Sequence, residues 1–400
     1  MNPVALRCLL AATALMALVM GTRTAVGLFV SPLNTSTGIG LAGLGFALAV
    51  GQLAQGLAQP TLGWLADRYG TRRLMVVGAW LLCAATLTLA LADSIAAFAL
   101  AFVVVAVAGS AIGSNSLLFA EVGRRVPAEH RAMAFAIVSA GGSAGQLLIS
   151  PGTQAVIENW GVVAALGATA ALGLLALPLA RAFGPRFDHP AAERSPSVAG
   201  RLHDVLRNSS FWLSAGSFGI CGFHVGYLTI HMPGVIERCG LSPSLAGVWL
   251  AVLGAANIVG SLLAGVCLRH VSTQRFLIIV FAVRAASIAS LLVLPVSPVT
   301  MLAFAVLMGL SYMALLPAIS QQLAESFGVE RLATVFGIVA VVHQFGSFVG
   351  AWLGGVVAEV TGGDSLLWAI DIGLALTAIA LQWCLGRVPS VRWNPRLRMA

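Results

Sequence analysis

Long apolar runs, each about the length of a bilayer crossing, alternate along this chain with short polar gaps. A helix needs roughly 20 mostly apolar residues to span lipid. Runs near 6–31, 41–66, 74–92, 96–120, 132–157, 162–182, 211–234, 244–268, 276–295, 299–322, 333–358 and 365–386 meet that length. In lipid every backbone polar group has to be paired, so each run is expected to be an α-helix and not an open strand. Breakers stand in the gaps: Pro32 after the first run, Asp93-Ser94 between the third and fourth, Pro127 before the fifth and Pro298 before the tenth. The pattern predicts an all-α membrane protein of 12 transmembrane helices.

Composition agrees. Of 400 residues, 59% are hydrophobic, and the mean hydropathy is +0.95. A water-soluble chain of this length has too little interior to hide that much apolar surface. The net charge is +8, and all 22 Lys-plus-Arg positions are Arg. A nucleic-acid-binding protein would cluster this charge on a soluble face, whereas here it sits in the gaps, as membrane topology requires. With a cytoplasmic N-terminus, the inner gaps hold 19 of the 22 Arg and the outer gaps only Arg238. Both termini are therefore expected in the cytoplasm. Arg7 followed by an apolar stretch to Met20 is similar to a secretory signal, but no small-x-small cleavage site follows. An uncleaved first helix is expected. The Cys residues show no metal-ligand or disulfide-like spacing.

Residues 183–210 are polar and Pro-rich, with Gly184-Pro185-Arg186-Phe187-Asp188-His189-Pro190 and Ser195-Pro196. They read as a linker between two six-helix halves, 1–182 and 211–400. An internal repeat supports the division. At an offset of 202, Gly63 falls on Gly265 and Arg73 on Arg275. At 201, Phe135 falls on Phe336, Gly145 on Gly346, Glu158 on Glu359 and Gly161 on Gly362.

Ionisable groups inside spans are costly and are candidate functional residues. Arg23 lies just beyond the midpoint of the first run. An offset of 201 carries it to His224, and His231 is seven residues on, hence on the same helical face. His343 and Gln344 lie mid-depth in the eleventh run, and Gln146 lies in the fifth. Asn115 and Tyr312 are further mid-depth polar groups. Gln52, Gln55 and Asn257 are equally suited to joining the halves by interhelical hydrogen bonds. Arg284 and Asp371, on the ninth and twelfth runs, are expected to form a buried ion pair. Every one of these also has a purely structural alternative. No nucleophile motif, metal-ligand spacing or phosphate-binding loop is present, so no enzyme and no cofactor is expected.

The stretch Gly63-Trp64-Leu65-Ala66-Asp67-Arg68-Tyr69-Gly70-Thr71-Arg72-Arg73 is a charged turn between the second and third runs. It resembles the signature loop between helices 2 and 3 of the major facilitator superfamily of transporters. The second-half copy is degraded, with Arg269 in place of Asp67 and Ser272 in place of Gly70. Further stretches are similar to a bacterial branch related to the monocarboxylate and oxalate/formate porters. They are Thr22-Arg23-Thr24-Ala25-Val26-Gly27-Leu28-Phe29, Cys221-Gly222-Phe223-His224, His231-Met232-Pro233, Asn257-Ile258-Val259-Gly260-Ser261 and His343-Gln344-Phe345-Gly346-Ser347.

The resemblance implies two six-helix halves rocking around a central site lined by helices 1 and 7. It implies a cytoplasmic latch of Asp67, Arg68, Gly70 and Arg72, with Asp67 bound at the start of helix 11. It also implies that the glycine faces at Gly141–Gly145 and Gly346–Gly355 slide against the opposite half. The expected substrate is a small organic anion, monocarboxylate-like, held by Arg23 with His224, His231, His343 and Gln344 assisting. A proton is a possible partner, since a His can change charge near neutral pH. A monomer in the bacterial inner membrane is expected. One departure matters: Ser261 stands where these porters carry a substrate-binding Arg in helix 8. An exporter of amphipathic drugs or metabolites, and a non-transporting sensor of the same fold, remain alternatives.

Overall fold

The computed structural model describes residues 3–127, 130–183, 205–327 and 332–387. Among them all regular structure is helical, and eleven helices are long and apolar enough to cross a membrane. They are α1 (Pro3–Thr37), α2 (Leu41–Tyr69), α3 (Thr71–Leu91), α4 (Ile95–Arg125), α5 (Met133–Ala182), α6 (Ser209–Arg238), α7 (Ser244–Cys267), α8 (Thr273–Val293), α9 (Pro298–Phe327), α10 (Leu332–Thr361) and α11 (Ser365–Leu385). Most of the expected linker, 184–204, lies outside the described residues.

The runs expected at 132–157 and 162–182 both fall within α5. At 50 residues it would be about 75 Å long if straight, over twice a bilayer core. It is not one rod, because Gly161 has φ 84° and ψ 172°, which divides it into two limbs. A positive φ is open to Gly at little cost.

The structure adds two breaks that the apolar pattern does not announce. α4 is interrupted at Ser114 (ψ 152°), whose hydroxyl accepts the Leu117 N–H at 3.4 Å. α9 is interrupted at Met313–Ala314, between the helices Pro298–Tyr312 and Leu315–Phe327. The two breaks occupy corresponding places about one repeat offset apart. Each has a candidate polar residue at its edge, Asn115 and Tyr312.

Helix ends are capped where they meet water. Ser94 accepts from Ala97 N–H, and Ser297 and Thr300 form a capping box with Pro298 at the first turn. Outward faces carry exposed Trp80, Leu148, Leu262 and Val293, which suits lipid rather than water.

Small residues set the helix contacts, in place of a hydrophobic drive that lipid cannot supply. α1 packs on the first limb of α5, where a Cβ on Gly145 would collide with the Ala17 carbonyl and one on Gly141 with Thr13. α6 packs on α10 in the same manner, with Gly346 against the Gly219 carbonyl and Gly350 against that of Phe223. The glycine faces expected to slide between halves are therefore mostly contacts within each group of helices. Contacts between the groups use other glycines. Gly45 lies against the Ala351 carbonyl, Gly355 against that of Leu41, and Gly247 and Gly254 against Pro151, Gln154 and Gln146.

Candidate functional site

These packings leave a cavity of about 910 Å³ between the groups. It reaches the charged turn at Gly63, Ala66 and Thr71, and it is lined there by Gly337 of α10. Cβ atoms built on Gly63 and Gly337 would meet only open space, so this end is open. The other end is closed. There Ser31 of α1 donates to Glu237 of α6, and Glu359 of α10 accepts the Ala42 N–H of α2 at 2.9 Å. Glu359 thus sits at the start of α2, where the helix dipole favours an anion. Sequence reasoning gave Glu237 no role and read Glu359 only as a repeat match.

Arg23 lines the cavity just before the tight turn Val26–Phe29 of α1. Its Nη2 donates to Gln52 Oε1 at 2.8 Å. Gln52, Gln55 and Gln59 all line the cavity and recur at helical spacing on α2. From α10, Gln344 donates to the Gln52 carbonyl at 2.9 Å, and a Cβ on Gly56 would strike the Gln344 side chain. His343 also lines the cavity, its Nδ1 3.2 Å from Gln344 Oε1 and its ring 4.4 Å from that of Phe218. Asn115 and Tyr312 line it from the breaks in α4 and α9. Arg23, His343, Gln344, Asn115 and Tyr312 are therefore brought together.

The charge of this wall is one-sided. Arg23 and Arg124 are its Arg residues, and no Asp or Glu lines it among the described residues. Interior aromatic groups come from Phe29, Phe102, Phe218 and Phe336.

Three expected site residues lie elsewhere. His224 and His231 share a face, as their spacing requires, but it is the wrong face. α6 presents Phe218, Cys221, Val225 and Thr229 to the cavity, and both His side chains are buried behind them. His231 Nε2 lies 2.6 Å from the Ala351 carbonyl, and His224 turns toward α11. The cause is a one-residue register error. Ala17 and Gly219 play the same part against Gly145 and Gly346, so the offset along the first helix is 202. Arg23 then corresponds to Val225, which does line the cavity. Gln146, the third, is buried and accepts from Asn257 Nδ2 at 3.3 Å, joining α5 to α7.

Arg284 and Asp371 do not pair directly. His224 stands between them, with Arg284 Nη1 3.3 Å from Nδ1 and Asp371 Oδ1 3.0 Å from Nε2.

At the charged turn, Gly70 has φ 90° and closes α2 through its N–H to the Ala66 carbonyl at 2.8 Å. Arg68 stacks over Trp64 and Tyr69, and Arg72 is exposed. The side chain of Asp67 lies outside the described residues. Buried Glu121 anchors the turn: it accepts from Thr71 and pairs with Arg124 (3.2 Å) and Arg125. Its only sequence signal was an acid three and four residues ahead of two Arg.

Comparison with known proteins accords with this arrangement. The chain is 26% identical over 344 residues to an uncharacterized MFS-type transporter, YcxA, of Bacillus subtilis (strain 168), covering 82% of this chain and 81% of that protein. It is 25% identical over 210 residues to the oxalate:formate antiporter of Oxalobacter formigenes, covering 51% of this chain and 49% of that protein. The fold matches the nucleoside transporter NupG with a TM-score of 0.81 at 12% identity, over 97% of this chain and all of that one. It also matches a bacterial homolog of the human lysosomal transporter Spinster, inward-facing and unoccupied, with a TM-score of 0.75 at 16% identity over 99% of this chain and 100% of that one. The sequence profile of the Major Facilitator Superfamily matches residues 12–298 and 240–400, nearly the whole chain, and with the cavity and the charged turn it establishes that this protein is a multi-pass membrane transporter belonging to that superfamily.

Proposed function

We propose that the protein is a secondary transporter of a small organic anion, monocarboxylate-like, working by alternating access. The observation that carries this reading is Arg23 on a cavity wall with no carboxylate among its described lining residues. A guanidinium can hold a carboxylate by two parallel charge-assisted hydrogen bonds. Gln52 takes one Arg23 donor, and a carboxylate would take others. His343, Gln344, Asn115 and Tyr312 supply further hydrogen-bonding groups on the same cavity wall. The resemblance to an oxalate:formate antiporter is a second, independent support.

In this reading the two limbs of α5 are separate crossings, giving twelve in all. The halves 1–182 and 211–400 rock about the cavity, joined by the cytoplasmic linker 183–210. Arg asymmetry supports cytoplasmic termini in a bacterial inner membrane, so the open end faces the cytoplasm. Asp67, with Arg68, Gly70 and Arg72, would latch that end in the opposite state. The protein acts as a monomer, with a proton as its coupling partner.

The test is uptake of labelled oxalate, formate and lactate into proteoliposomes, with and without a pH gradient. Saturable uptake of at least one, lost in Arg23→Gln, is expected. Full transport by that variant would sink the site assignment. A second reading, export of amphipathic molecules, is favoured by the Phe29, Phe102, Phe218 and Phe336 lining. Extrusion of a hydrophobic cationic dye, with no anion flux, would select it.

A further inference from the structure

The cluster of Arg284, His224 and Asp371 is fully buried, drawn from α8, α6 and α11, and behind the cavity wall. Its hydrogens can be placed from chemistry. Arg284 Nη1 lies 3.3 Å from His224 Nδ1, and a guanidinium has only donors, so Nδ1 accepts. The ring proton is then on Nε2, which faces Asp371 Oδ1 at 3.0 Å and the Asp371 carbonyl at 3.4 Å. The cluster thus sets a guanidinium and a carboxylate on either side of the ring. Neither Asp371 oxygen has a well-directed hydrogen bond among the described residues, so acceptor sites on this buried carboxylate are unfilled.

Arg284 has a second task. It donates from Nε to Ser311 Oγ at 3.3 Å and from Nη2 to the Ser311 and Tyr312 carbonyls at 3.0 and 3.4 Å. These carbonyls stand at the break in α9, and Tyr312 lines the cavity. Other titratable or charged groups face the cluster from each neighbouring element. Cys221, on α6, lies near Arg284 and near His343 on α10. Tyr227, also on α6, feels the Asp371 charge, and Tyr312 feels both Arg284 and Arg23.

From this geometry we propose that Asp371, oriented by His224, is a proton-binding site that sets the anion affinity of the cavity through Arg284. The proposal rests on the organic-anion reading above. Without the proton, Asp371 offsets the charge of Arg284 across the imidazole. A hydronium ion gives up one O–H bond and leaves as water, the carboxylate gains an O–H bond, and the cluster becomes singly positive. Arg284 is then uncompensated behind the Tyr312 wall and draws an anion toward Arg23. By linkage the bound anion favours the proton by the same factor.

The experiment uses the full chain reconstituted in lipid. Infrared difference spectra between mildly acid and mildly alkaline buffer should show a protonated-carboxyl band that Asp371→Asn lacks. Coincident spectra for the two proteins would overturn the proposal. The affinity of the wild type for oxalate, formate or lactate should rise roughly 5- to 150-fold on acidification and be flat in Asp371→Asn. An affinity independent of pH in the wild type would also overturn it. If the band is lost in the variant but none of the three anions binds, the proton site stands and the anion reading falls. Should Asp371→Asn fail to fold, His224→Gln keeps an N–H toward Asp371 and should shift the band, and an unmoved band would refute the assignment.

Discussion

Arg23→Gln is the sharpest perturbation the cavity offers. The substitution removes the charge, and the side chain, two atoms shorter, also gives up the hydrogen bond that Nη2 makes to Gln52 Oε1. What is lost is the charge-assisted pair with a bound carboxylate. Removing one partner of a desolvated, hydrogen-bonded charge pair costs about 2–5 kcal/mol. The cavity is open at one end and water reaches it, so the lower part of that range, about 2–4 kcal/mol, applies here. At 1.4 kcal/mol per tenfold, the Kd for oxalate or lactate should rise roughly 30- to 700-fold. Arg23→Lys keeps the charge without the planar fork and should lose about tenfold. The assay is equilibrium binding of labelled anion to detergent-purified protein, paired with thermal melting to exclude misfolding. If Arg23→Gln bound every tested anion within threefold of wild type while melting normally, the argument from Arg23 would be wrong.

The other perturbations address mechanics and stability. Glu359→Gln removes the charge at the start of α2 and should weaken the closed end by about 1–2 kcal/mol; spin labels at Thr35 and Ser242 should then report a new longer distance, and an unchanged distribution would argue that the clasp is idle. Gly145→Ala forces a Cβ into the Ala17 carbonyl and should cost about 1–3 kcal/mol in thermal stability, whereas Gly265→Ala, with open space around it, should melt like wild type; equal melting of both would contradict the packing described. Glu121→Gln removes a buried carboxylate that pairs with Arg125 and accepts from Thr71, and should destabilise the charged turn by about 2–4 kcal/mol, seen as a lower melting temperature and faster proteolysis, and an unshifted melt would discount Glu121 as its anchor.

Depth was legible from the chain, and direction was not. Distance along a membrane helix follows from residue count at 1.5 Å per residue. By that count Arg23, Asn115, Tyr312, His343 and Gln344 all fall well inside their runs, and they line one cavity. Azimuth is another matter, since each residue turns the helix by about 100°. An error of one in the repeat offset moved His224 and His231 from the back of α6 to its cavity face. In a soluble helix a polar stripe would have exposed the mistake. Here lipid and protein interior are both apolar, so the pattern carries little directional signal. The glycines misled for the same reason: a small-residue face shows that a close approach exists, but not which helix makes it.

The sequence by itself determined that this chain crosses a membrane repeatedly as helices, because lipid leaves no other way to pair the backbone of so many apolar runs. It also determined the superfamily, through a charged turn whose residues are costly to place anywhere but at a membrane surface. Tertiary structure alone decided which polar groups face the cavity and which face each other. It inserted His224 between Arg284 and Asp371, broke α4 and α9 beside Asn115 and Tyr312, and set Glu359 on the start of α2. Each of these joins residues distant in the chain, and a rotation that costs nothing in the apolar pattern decides whether they meet.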